Sequence, residues 1–144
     1  MRMQEAYQEV AERNLLAARN LLEGNIHEMA GFCCYHAYES SASALAVKES
    51  RPHGQRVGHL QKLAIFREYA NNLEEVEIRA TLRQLNLLIG SARNKLLYPK
   101  LEEKRIKLPK DELSREQIER LVNDVEVIVN WVRQKISENL EGNS

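Results

Sequence analysis

Helix breakers are scarce in this sequence: its 144 residues include only three prolines and six glycines, so long uninterrupted segments are allowed. Cysteine is nearly absent, and the two present, Cys33 and Cys34, are adjacent. Neighbouring side chains on a helix point about 100° apart and do not bridge each other. A disulfide framework is excluded, and a reducing, cytoplasmic location fits. Net charge is also missing, since Lys+Arg and Asp+Glu both number 21. Any case for a nucleic acid or an acidic membrane must therefore rest on a local patch. No run of about 18 apolar residues occurs, so no membrane-spanning segment is expected. The N-terminal "MRMQEAYQEV" lacks the apolar stretch of a secretory signal. What remains, 43% hydrophobic and 29% charged residues, is the balance of a soluble globular protein. The length suits one domain with one core over residues 1–144.

Helical periodicity dominates. Tyr7, Ala11, Leu15, Ala18 and Leu22 fall on one apolar face of a first helix, which "EGN" (23–25) ends with a glycine. A second helix runs from about Ile26 to Glu49. Its density of small residues, Ala37, Ser40, Ser41, Ala42, Ser43, Ala44 and Ala46, allows close approach and places it in the middle of a bundle. "SRPHG" (50–54) is a loop. "HLQKLAIFREY" (59–69) predicts one short third helix with Leu60, Leu63 and Phe66 inward, and "NN" (71–72) breaks the chain again. A fourth helix from about Leu73 to Leu97 carries a seam of Ile78, Leu82, Leu85, Ile89, Ala92 and Leu96. Pro99 helps to end it. Residues 99–110 read as a proline-bounded, lysine-rich loop. Ser114 and Gln117 then form a capping box for a fifth helix, with Ile118, Leu121, Val125, Ile128, Val132 and Ile136 on one face. Alternating strand patterns, Asn-Gly hairpin signals, repeats and low-complexity tracts are all missing. The expected fold is all-α: an antiparallel helical bundle of four long helices plus a shorter one.

There is no glycine-rich phosphate loop and no defensible Ser-His-Asp order, and nothing points to a cofactor. Cys33 and His36 share a face and with His53 or His59 present metal-ligand chemistry, but no second close ligand pair accompanies them. A buried thiol and an interfacial imidazole explain them more simply, so no metal is expected. On the fourth helix Arg79, Arg83, Asn86, Gly90 and Arg93 form a second stripe beside the apolar seam. It leads to Asn94 and Lys95, then to Lys100, Lys104, Arg105, Lys107 and Lys110, a local basic patch suited to phosphate. The same residues also fit a solvated charged face. Arg93 and Lys95 equally suit the negative end of a helix dipole, with Tyr98 packing into the hinge.

Several stretches, taken together, resemble the HEPN domain family. "FCCYHAYESSASALAVKE" (32–49) is similar to that family's second helix and "GHLQKLAIF" (58–66) to its short His-Leu helix. "ARNKLLYP" (92–99) resembles its terminal motif of an arginine, a polar residue and a later histidine. The resemblance covers nearly the whole chain. It implies a helical bundle that forms a homodimer through the motif-bearing helices, with a phosphate-binding cleft at the axis. It further implies either a metal-independent ribonuclease of a toxin–antitoxin or defence system, or a non-catalytic docking partner of a small nucleotidyltransferase. Arg93 takes the arginine position and Asn94 the polar one, where they would hold and orient an RNA or nucleotide phosphate. The histidine would fall at 98, 99 or 100, which are Tyr98, Pro99 and Lys100. Tyr98 suits stacking on a base better than proton transfer, because an ordinary phenol has a pKa of about 10. Ala42 stands where the family commonly has a glutamate. The candidate catalytic set is therefore Arg93, Asn94 and Tyr98. The candidate binding set is Arg79, Arg83, Asn86, Lys95 and Lys100.

Overall fold

The computed structural model describes residues 1–142, with side chains to residue 138, and it realises the expected all-α bundle. Residues 143 and 144, included in the one-domain reading, lie outside the described residues. Helix α1 (Met3–Glu23) buries Ala11, Leu15, Ala18 and Leu22, the spacing that marks one face of a helix. Its stop differs from expectation. Gly24 keeps an ordinary φ of −80°, and Asn25 is the residue in the left-handed region, at φ 62°. Asparagine is the usual substitute for glycine there. The Ile26 N–H then donates back to the Leu21 carbonyl at 2.9 Å and turns the chain into α2 (His27–Lys48).

Helix α2 is the central one. Its alanines and serines are buried around most of its circumference, and α1, α5 and α7 all pack on it. Gly31 marks the tightest approach: an added Cβ would lie 2.8 Å from Cδ1 of Ile118 and 2.9 Å from Cδ1 of Leu96. The segment expected as one short helix divides into α3 (His59–Lys62) and α4 (Ala64–Asn72), with a step at Leu63. Leu63 and Phe66 are buried as expected. Leu60 is not, at 69% exposed, because α3 is a single turn whose outer side it occupies. Asn71 and Asn72 still belong to α4; the break comes at Leu73, whose extended backbone leads into α5 (Val76–Leu97).

Helix α5 buries Leu82, Leu85, Ile89, Ala92 and Leu96 along the expected seam. The lysine-rich loop is in part a β-hairpin, which corrects the expectation of no strands. Strands β1 (Lys100–Glu102) and β2 (Arg105–Lys107) pair antiparallel with Leu101 opposite Ile106. Glu103 (φ 44°) and Lys104 (φ 69°) form the two-residue turn. Positive φ at both positions is the requirement usually met by Asn-Gly, so the ordinary sequence signal was missing. After a one-turn helix α6 (Pro109–Glu112), the capping box forms as expected. The Ser114 N–H donates to Gln117 Oε1 at 2.8 Å and the Gln117 N–H to Ser114 Oγ at 3.1 Å. Helix α7 (Arg115–Gly142) then buries Ile118, Leu121, Val125, Ile128, Val132 and Ile136 against α1, α2 and α5. Among the described residues no helix is long and apolar enough to cross a membrane.

Candidate functional site

The basic stripe of α5 divides into two parts with different surroundings. Its first part faces α4. Arg79 Nη1 donates to the Leu73 carbonyl at 3.0 Å and Arg83 Nε to the Ala70 carbonyl at 2.8 Å. Asn86 Nδ2 donates to the Phe66 carbonyl at 3.3 Å, while its Oδ1 accepts from the Tyr38 hydroxyl at 2.6 Å. These three side chains pin α4 to α5 and α2. The helical spacing that aligned them is a docking edge, a role that periodicity does not distinguish from a binding stripe.

The second part ends at the open end of the stripe. Nothing lies within 4 Å of where a Gly90 side chain would be. Arg93 is half-buried, and its Nη1 reaches Asn94 Oδ1 at 3.4 Å. Arg93 Nε is buried without a partner, and no carboxylate pairs with this guanidinium among the described residues. Asn94, Lys95, Tyr98, Pro99 and Lys100 line a shallow, open depression beside it. The structure therefore brings Arg93, Asn94, Lys95, Tyr98 and Lys100 to one end of α5 and leaves Arg79, Arg83 and Asn86 on α4. Two of the loop lysines have acidic neighbours that temper the patch. Lys100 pairs with Glu102 at 3.0 Å and Lys107 with Glu112 at 3.6 Å.

A further group of polar side chains, not assembled from the sequence, gathers around Glu39 of α2, and the Arg93 charge acts on its members Tyr35 and His36. Glu39, in the middle of α2, is only 7% exposed. Its Oε2 accepts from the Tyr35 hydroxyl and from His59 Nδ1, both at 2.8 Å, and its Oε1 lies 3.4 Å from Lys62 Nζ. Burial pushes the Glu39 carboxyl up, but the hydrogen bonds from His59 and Tyr35 and the charge of Lys62 outweigh it and hold it below its ordinary value. Burial drives the Tyr35 phenol above its usual range, its hydrogen bond to Glu39 and that carboxylate's charge add to this, and the Arg93 charge works against them. His36 packs edge-on against Phe32, with ring centroids 4.5 Å apart. Burial lowers its pKa, Glu39 opposes this, and Arg93, His59 and Lys62 lower it further. The result is one buried anion shared by a phenol, an imidazole and an ammonium. A signal existed: Tyr35 and Glu39 are four apart, and Glu39 interrupts a helix otherwise rich in small residues. His59 and Lys62, three apart on α3, supply the complement.

The cysteines lie outside this chemistry. Burial pushes the Cys34 thiol up to about 12 and raises Cys33 as well, so neither is a ready thiolate. His53 meets the Tyr7 hydroxyl at 3.1 Å, and His59 is committed to Glu39. No group of three His, Cys, Asp or Glu side chains with metal-binding geometry occurs among the described residues.

The model of the HEPN domain family matches residues 4–136. Three crystal structures share the fold, each at too low an identity to speak beyond it. A Thermus thermophilus protein has a TM-score of 0.70 at 18% identity, over 94% of this chain and 99% of that one. An archaeal HEPN homologue has a TM-score of 0.65 at 19% identity, over 94% and 99%. A HEPN domain protein from Thermotoga maritima has a TM-score of 0.60 at 20% identity, over 92% and 98%. No functionally curated protein matches the chain significantly.

Proposed function

The chain belongs to the HEPN domain family, and from that premise we propose that it binds the phosphates of single-stranded RNA or of a nucleotide through Arg93 and Asn94, in a cleft shared by two copies. We take residues 1–144 as one domain, in keeping with a family match that spans residues 4–136. The observation that carries the reading is the Arg93 guanidinium, half-buried, unpaired by any carboxylate among the described residues and next to the Asn94 amide. A guanidinium held in place without a counter-ion is suited to an incoming phosphate, which it grips by charge-assisted hydrogen bonds. Lys95 and Lys100 add positive charge at the same end of α5, and Tyr98 offers an exposed ring for stacking.

The shared cleft is supported by the outward face of α5. Leu87 is 83% exposed there, Gly90 has open space around it, and Ser91 and Asn94 continue the exposed strip. A small-residue strip with a bare leucine suits a second helix laid against it, and a two-fold pairing brings both Arg93–Asn94 pairs to one axis.

Two measurements test this. Fluorescence anisotropy with a labelled single-stranded RNA, and separately with labelled ATP, identifies the source of the phosphate. Arg93→Ala is expected to weaken whichever binds by roughly tenfold to a hundredfold, the worth of one hydrogen bond to a charged group. Equal affinity in the variant, or no binding by the wild type at low salt, refutes the assignment. Light scattering on Leu87→Arg addresses the cleft: the wild type is expected at twice the chain mass and the variant as monomer. A variant that stays dimeric moves the interface elsewhere.

A further inference from the structure

We propose that the cavity between α5 and α7 binds a free α-amino acid with an apolar side chain, held at its ammonium by Asp124 and at its carboxylate by Arg120. Neither Arg93 nor Asn94 lines this cavity, and the assignment does not rest on the function proposed for them.

The floor is apolar. Leu88 and Ala92 come from α5, Leu121 from α7, and Leu113 from the link between α6 and α7. Ala92 and Leu121 belong to the core, whereas Leu88 is 43% exposed. The two helices thus leave an edge of the core uncovered, and an apolar side chain laid on it would leave water. The cavity measures about 220 Å³. Sites for drug-sized ligands begin at about 300 Å³, so this one suits a molecule no larger than a single amino acid.

The rim carries two opposite charges. Arg120 and Asp124 are four apart on α7, a spacing that sets Cβ atoms about 5–6 Å from each other. They nevertheless form no ion pair with each other, and neither joins any other ion pair among the described residues. Asp124 is half-buried. Burial raises its carboxyl's pKa, and the Arg120 charge works against this. A carboxylate drawn partly out of water without a partner carries a cost that an incoming ammonium offsets. Arg120 is exposed, and its planar fork matches a carboxylate. Gln117, also on the rim, has its carbonyl oxygen engaged in the helix cap.

These charges select among apolar ligands. A simple amine would meet Asp124 but be repelled by Arg120. A fatty acid would meet Arg120 but be repelled by Asp124. A free amino acid carries both charges on one carbon and its side chain on the same centre, so neither rim group opposes it and the floor takes the rest.

The full-length protein, labelled with ¹⁵N, is titrated with L-leucine and its amide signals are followed by NMR. Leucine is expected to shift the amides of Leu88, Arg120 and Asp124. Three analogues each remove one feature: leucinamide the carboxylate, 4-methylpentanoate the ammonium and glycine the side chain. The two that lose a charge should bind roughly tenfold to a hundredfold more weakly, the worth of one hydrogen bond to a charged group. Glycine should leave the three amides unmoved. Asp124→Asn and Arg120→Gln should each show the same loss for leucine while keeping the wild-type circular dichroism spectrum. Leu88→Asp, at an exposed position, makes the floor polar and should abolish the shifts. Equal affinity for leucine and either charge-deleted analogue, or for wild type and either charge variant, reduces the cavity to an unselective apolar surface and overturns the proposal. So does the absence of shifts with leucine, or shifts confined to other residues. Shifts of the same amides with protein concentration alone would assign this face to a second copy and likewise overturn it.

Discussion

Replacing Phe66 by alanine should lower the unfolding free energy by about 3–5 kcal/mol, the usual cost of emptying a buried phenylalanine site. Phe66 is fully buried and leans on Tyr38 with ring centroids 4.6 Å apart. It is the largest of the apolar anchors of α4, the others being Ile65 and Ala70. A helix of nine residues has little stability of its own and depends on such packing. The cavity would open beside Tyr38, whose hydroxyl holds Asn86, and Asn86 in turn holds the Phe66 carbonyl. Loss of the ring therefore loosens the polar link as well. Chemical denaturation followed by circular dichroism measures the change. A loss under about 1 kcal/mol would mean that the site collapses around the void and that α4 contributes little to the cooperative unit.

Glu39→Ala should cost about 2–3 kcal/mol at neutral pH, and the cost should disappear in acid. Removing one partner of a buried ionic group strands the others, at about 3–5 kcal/mol when they are fully enclosed. Lys62 and the half-exposed His59 retain access to water, which reduces the figure. The pH dependence follows from the direction of the carboxyl's shift. Its folded pKa lies below the ordinary 4.5, so the unfolded chain binds the proton more readily. The stabilisation is complete above the ordinary value and is lost as pH falls through the lower, folded one. Wild type and variant should therefore differ fully at pH 7 and converge as the medium is acidified through that window. A gap that stays constant down to pH 3 would trace the effect to lost packing and not to the anion.

Periodic burial was the part of this structure written most plainly in the residues. Ala11 to Leu22, Leu82 to Leu96 and Ile118 to Ile136 lie inside where their spacing put them, because a helix needs only one apolar stripe to choose its inner face. The Ser114–Gln117 cap was equally legible, being a local exchange of hydrogen bonds. The departures have a common origin in partners distant along the chain. Arg83 on a helical stripe looks the same whether its guanidinium meets solvent, phosphate or the Ala70 carbonyl. Glu39 becomes a hub through His59 and Lys62, which stand 20 and 23 residues further along the chain. The hairpin escaped notice for a different reason: Glu103 and Lys104 adopt positive φ without the residues that usually advertise it. Of the candidate site, Arg93 and Asn94 are legible as neighbours at the end of the fourth helix, whereas the anionic hub at Glu39 is not.

The way α4 ends carries a consequence for how the chain matures. Among its last carbonyls, that of Tyr69 is taken by the Leu73 N–H, while that of Ala70 has no helical donor and accepts from Arg83, thirteen residues further on. A chain made from its N-terminus brings residues 64–73 into water before Arg79, Arg83 and Asn86. The second half of α4 thus emerges with the Ala70 carbonyl wetted and waiting, and the helix acquires its finished end only when α5 has emerged far enough to reach back. Its completion is timed by the arrival of another segment.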